Sequence, residues 1–146
     1  MLRLPSDSFF KFFESTSLLV LLVPGLLAGC ANSRDREAAR EAAARIHSQI
    51  RSRSFAAIYD EAADGFKTVE KADFVDGMNG LQDKLGPVKD IKEMVYQTGL
   101  DSRVGRTHTL VFDVRFEVER VREILVFVHG NENKLQLWKL DIEPIN

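Results

Sequence analysis

The chain of 146 residues holds sequence for one domain and not two. Its 20 basic and 22 acidic side chains leave a net charge of −2, which argues against a general nucleic-acid binder, because such a protein needs a basic face to release counterions. Apolar residues make up 45% and charged residues 29%, an ordinary globular balance. The single cysteine excludes an intrachain disulfide framework and a cysteine-rich zinc site.

Residues 1–29 read as an address rather than as part of the fold. Arg3 and Lys11 sit in a leading segment, and an apolar run from Leu18 is broken at Pro24-Gly25 and ends at Leu27. Ten residues at 1.5 Å each cover about half of a ~30 Å hydrocarbon core. The run is too short to span a membrane and suits the apolar region of a signal peptide, which ends at small residues. The alternatives are an uncleaved anchor or a buried core helix whose cysteine is incidental.

The segment ends in Leu27-Ala28-Gly29-Cys30, and the only cysteine of the chain stands at its last position. This tetrapeptide resembles the lipobox of bacterial lipoproteins. The resemblance implies a diacylglyceryl thioether at Cys30, cleavage just before it and an acylated new amino terminus. Ala31, rather than Asp, follows the cysteine; by the same resemblance this points to the outer membrane on its periplasmic side. Two features depart from the pattern: Asp7 and Glu14 weaken the charge of the leading segment, and Phe9-Phe10-Lys11-Phe12-Phe13 makes it unusually aromatic. The division expected is 1–29 signal peptide, 30–35 lipidated tether and 36–146 a single α+β domain. The anchor makes the membrane a partner, and several acyl chains at roughly 0.8 kcal/mol per buried CH₂ hold firmly where one does not.

Residues 35–53 have helical spacing, with Ala38, Ala39, Ala42, Ala43, Ile46 and Ile50 on one stripe and a solvated face of mixed charge around it. His47 falls on the polar side in this reading. Ser54 is placed as the cap of a second helix, 55–63, with Phe55, Ile58, Tyr59, Ala62 and Phe66 inward, or the two helices are one with a bend near 52–54. Thr68 is placed as the cap of a third, 69–85, whose Gly77 and Gly80 suggest close backbone approach, and Gly86-Pro87 stops it.

Beyond Pro87 the period becomes two. Strands are expected at 88–98, 106–119, 123–129 and 134–143, with turns at 99–105 and 130–133. In the second, Leu110, Phe112, Val114, Phe116 and Val118 face one side and Asp113, Arg115, Glu117 and Glu119 the other, the pattern of a half-buried antiparallel strand. Helices followed by a four-strand meander imply an α+β fold, N-terminal helices packed on one face of a curved antiparallel sheet.

Four stretches carry a further resemblance: 59–66 (YDEAADGF), 71–74, Leu85-Gly86-Pro87-Val88, and 130–142 with Leu137-Trp138-Lys139-Leu140. Over residues 51–142 the chain resembles the nuclear-transport-factor-two-like superfamily, the α+β cone also seen in scytalone dehydratase and ketosteroid isomerase, and in particular small lipoproteins of that fold. Enzymes of the superfamily use an Asp or His inside the cone as general base, sometimes with a Tyr. The corresponding residue types here are Tyr59, Asp60, Tyr96, His108, Asp113 and His129.

None of these sits in a recognisable catalytic motif, and phosphate loops, nucleophile elbows and CxxC pairs are absent from the sequence. Asp113 alternates with apolar neighbours, so a salt-bridge ladder with Arg115 is expected rather than catalysis. His129 is expected at an exposed strand end. His47, His108 and His129 lie in three different elements without a close pair, so no metal site and no cofactor are expected. Tyr59, Phe66, Tyr96 and Trp138 either line an apolar cleft or belong to the core. The favoured expectation is a non-enzymatic envelope lipoprotein that binds a protein partner or a small apolar ligand. A cone-pocket isomerase or dehydratase and an oligomerising module are the alternatives.

Overall fold

A computed structural model describes residues 31–130 and 134–145. Cys30, the leader expected at 1–29 and the turn residues 131–133 lie outside the described residues. Among the described residues three helices, α1 (Ala31–Arg51), α2 (Phe55–Glu61) and α3 (Lys71–Leu85), precede four strands, β1 (Val88–Asp101), β2 (Gly105–Phe116), β3 (Arg120–His129) and β4 (Leu135–Pro144). The strands form one antiparallel sheet in the order β1-β2-β3-β4. This is the α+β meander that the change of period predicts.

α1 begins earlier than its sequence suggests. The residues expected as a polar tether, 31–34, are helical. No Pro or Gly stands there to stop an alanine- and arginine-rich helix from extending. Ala39, Ala42, Ala43, Ile46, His47 and Ile50 are its buried stripe, while Ala38 faces solvent. The small side chains let the helix lie close on β2, β3 and β4, and the i, i+3, i+4 spacing keeps the stripe on one face. Arg53 has φ +55°, which breaks the helix before α2, so α1 and α2 are separate.

α2 stops at Glu61, two residues short of expectation, because Ala62 is already extended and the Ala63 N–H donates to Leu137 of β4. Ser54 stands at the N-cap of α2 as expected, its carbonyl accepting from Ala57 and Ile58, while its hydroxyl bonds to Ser52 and makes no cap hydrogen bond. A 3-10 turn, Asp64–Phe66, follows. α3 starts at Lys71 with Glu70 as its N-cap, so Thr68 does not cap it and Val69 lies on the surface. Gly80 faces open space, so close packing does not explain it. Gly86 ends α3 with φ +76°, a conformation that suits glycine, and a Cβ there would come within 2.9 Å of Glu117 Cβ.

The β1–β2 hairpin is tighter than expected: only residues 102–104 turn, and Arg103 N–H donates to Asp101 Oδ1 at 2.8 Å. β2 ends at Phe116, so Val118 is exposed at 72% although its spacing continues the apolar row. The Glu117 and Val118 amides are taken by Pro87 and Leu85 carbonyls, which turns the chain out of the sheet. The core fills the space between the helices and one sheet face, around Phe55, Ile58, Leu110, Leu125 and Phe127.

Candidate functional site

Two polar clusters interrupt this helix–sheet layer. The first joins α1 to β3. His47 Nε2 lies 2.5 Å from Glu123 Oε2, and both residues are buried. With the imidazole proton on Nε2, the ring donates to the carboxylate. Phe112 closes the site edge-on, 4.6 Å from the His47 ring. The placement of His47 on the polar side of the helix is therefore corrected. His47 lies four residues after Ala43 and three before Ile50, on the buried stripe itself. Glu123 likewise alternates with Val121 and Leu125, an inward position.

The second cluster lies where α1 begins. Along β2 the inward positions run Phe116, Val114, Phe112, Leu110 and then His108, which is fully buried. Tyr96 pairs with Leu110 in the neighbouring strand, and its hydroxyl lies 3.1 Å from His108 Nδ1, with the two rings nearly parallel at 19°. In β3, Phe127 stands opposite His108, and His129 is the next inward position along the diagonal. His129 is exposed, and its Nε2 lies 3.3 Å from His108 Nε2. The expectation of no close histidine pair is thus corrected. The two residues are 21 apart in sequence, and only the hairpin register brings them together.

The first turns of α1 border this cluster. The Arg36 guanidinium lies 5.6 Å over the Tyr96 ring, and Asp35 pairs with Arg106 at 3.0 Å. Burial pushes the His108 pKa below the ordinary imidazole value; Asp35 acts against this, while His129 and Arg106 reinforce it. His108 therefore favours its neutral form. Burial also raises the Tyr96 pKa, keeping the phenol protonated. Tyr96, His108 and His129 form a hydrogen-bonding chain from the interior to the surface.

Arg36 and Arg40, read from sequence as part of a solvated face, both bind Glu93 of β1. Arg40 does so through two nitrogens, at 2.7 and 3.0 Å, and Arg36 at 2.8 Å. The Arg40 hydrogen bond holds the Glu93 carboxyl below its ordinary pKa against the opposing effect of burial.

The four aromatics expected around one cleft are dispersed. Tyr59 and Phe66 pack together with Phe74, and the Tyr59 hydroxyl donates to the Val69 carbonyl at 2.6 Å. Tyr96 belongs to the histidine cluster. Trp138 lies against Gly65, where an added Cβ would come within 2.5 Å of its indole nitrogen, and Arg103 stacks on its ring at 5.4 Å. Asp60 is exposed and paired with Lys71 at 2.6 Å. Asp113 is ion-paired as expected, although with Arg120 and not Arg115, and the Arg120 hydrogen bond lowers its pKa.

A void of about 10 Å³ beside Ile50, Phe55, Gln82 and Phe116 is at most the size of one water. A larger depression of about 280 Å³ lies open on the opposite sheet face, over Asp90, Lys92, Asp113, Arg115 and Arg120. No group of three or more His, Cys, Asp or Glu side chains suited to a metal ion occurs among the described residues. Nor is any helix among them long and apolar enough to cross a membrane.

No protein-family model matches the chain, and no curated protein matches it. The chemistry of the site therefore rests on the residues themselves. The first cluster is enclosed and can serve packing. The second reaches solvent and can exchange a proton or a ligand.

Proposed function

We propose that this chain is a lipoprotein of the bacterial envelope, fastened at Cys30 and presenting its α+β domain to the periplasm for a protein partner. The observation that carries the reading is the lone cysteine directly after a ten-residue apolar stretch and Leu27-Ala28-Gly29. Ala31 after it favours the outer membrane. The role is non-enzymatic in this reading, and the domain belongs with the nuclear-transport-factor-two-like cones.

Two structural features support the proposal. α1 is helical from the first described residue, Ala31, which directly follows Cys30 in sequence. The void of about 10 Å³ beside Ile50 and Phe55 is too small for an apolar ligand, and the reading takes a protein partner. The β1–β2 hairpin is tied to the first described residues of α1 by Asp35 and Arg106. Its Leu100 is exposed at 87%, an apolar side chain suited to a lipid surface.

Radiolabelled palmitate fed to cells expressing the chain tests the anchor. The reading expects label in the wild type and none in Cys30→Ala, with the variant released from the membrane fraction. Full labelling of Cys30→Ala overturns it. Crosslinking in the native envelope followed by mass spectrometry then tests for the protein partner.

A further inference from the structure

We propose that His108 and His129 form a two-histidine site for a divalent transition-metal ion of the zinc class. The inference stands apart from the lipid anchor and does not depend on it.

The first argument is geometric. The two Nε2 atoms lie 3.3 Å apart. At a zinc–nitrogen distance of about 2.05 Å, that separation subtends an angle of about 107° at a shared ion, close to tetrahedral. The nitrogens are thus already spaced as two ligands of one metal. The diagonal cross-strand placement sets this spacing by backbone register rather than by long flexible side chains.

The second argument concerns protons. A ligating imidazole needs a lone pair on the nitrogen that meets the metal, and its other nitrogen usually donates to a fixed acceptor. The Tyr96 oxygen lies 3.1 Å from His108 Nδ1 and can be that acceptor. With Nδ1–H donating to Tyr96, His108 Nε2 carries a lone pair directed at His129. In the metal-free chain, His129 Nε2–H can donate to that lone pair. Because His129 is exposed, its proton can move to Nδ1 through solvent, which leaves both Nε2 atoms free for the ion.

The third argument is access and charge. His108 is enclosed, whereas His129 opens to solvent, so an ion can enter from one side and keep water on its remaining positions. Arg106, the cation nearest the site, is paired with Asp35 at 3.0 Å, so its charge is balanced there. Two imidazoles suit zinc, copper and nickel better than magnesium or calcium, which prefer oxygen.

Calorimetric titration of Zn²⁺ alone into the untagged full chain in detergent micelles tests the site. The expected result is one ion bound per chain. His129→Ala, a surface change, lowers the affinity at least tenfold while circular dichroism stays the same. Tyr96→Phe, which removes the acceptor from Nδ1 and keeps the ring, weakens binding in the same direction by up to about tenfold. His129→Gln serves as a second variant should the alanine variant fold poorly, with the same expected loss. The absence of Zn²⁺ binding to the folded wild-type chain overturns the proposal. Equal affinity in a folded His129 variant also overturns it and leaves the two rings as a hydrogen-bonded pair.

Discussion

The two histidine clusters sit in the same layer, between α1 and the inward face of the sheet, and differ in their distance from its end. Glu123 and His47 lie in the middle, where Phe112 and the apolar stripe close around them. His108 is the inward position of β2 next to its start, and His129 ends β3. A polar group in the middle can only be satisfied by another built-in group, whereas one at the end can also be satisfied from outside. Residue type alone therefore does not mark a site. Position along the strand separates a packing device from a place where a ligand can arrive.

The largest way to break this comparison is at the enclosed pair. Glu123→Ala leaves the His47 N–H buried without its acceptor and is expected to cost about 1–3 kcal/mol in chemical denaturation. The double substitution His47→Leu with Glu123→Leu fills the same space without charge, so its stability is expected to match or exceed the wild type. A large loss in the double variant instead assigns the pair a role beyond packing.

The open cluster tolerates change better. Tyr96→Phe removes one hydrogen bond to His108 and is expected to cost about 1 kcal/mol in the same assay. At the α1–β1 clamp, a double-mutant cycle of Arg40→Ala and Glu93→Gln is expected to give a coupling of about 0.2–1 kcal/mol. That coupling should shrink as salt is raised, because Arg40 is solvent-exposed.

The smallest expected effect is a pH dependence. The folded His108 pKa is lowered by burial. As pH falls below about 6.5, the unfolded chain takes a proton there before the folded one does. This group's contribution is therefore fully present above that range and declines on acidification until the folded residue also protonates. Denaturation midpoints at pH 7.5 and 5.5 should differ less in His108→Gln than in the wild type. An equal difference in both assigns the acid sensitivity to other groups.

The strand architecture was legible because β2 alternates cleanly from Leu110 to Phe116, and no helix has that period. The limits of elements were less so. Val118 continues the alternation, yet the Glu117 and Val118 amides bond to Pro87 and Leu85, contacts that no local pattern encodes. His47 and Glu123 were hidden for a related reason. Each occupies a core position of its own element, and a charged or polar residue there reads as outward until its partner, 76 residues away, is known. The His108–His129 contact depends on hairpin register, and an accurate strand assignment alone does not supply it. Of the pocket expected from four aromatics, the chain brings Tyr59 and Phe66 together and leaves Tyr96 and Trp138 elsewhere, because core periodicity does not specify which side chains meet.

The central claim is that the thiol of Cys30 holds the domain to a lipid leaflet. Intact-mass measurement of the mature chain purified from its native membrane tests it most directly. The account predicts a protein that begins at residue 30 and carries the added mass of a diacylglyceryl group and an amide-linked fatty acid. A chain that retains residues 1–29 with an unmodified thiol contradicts it.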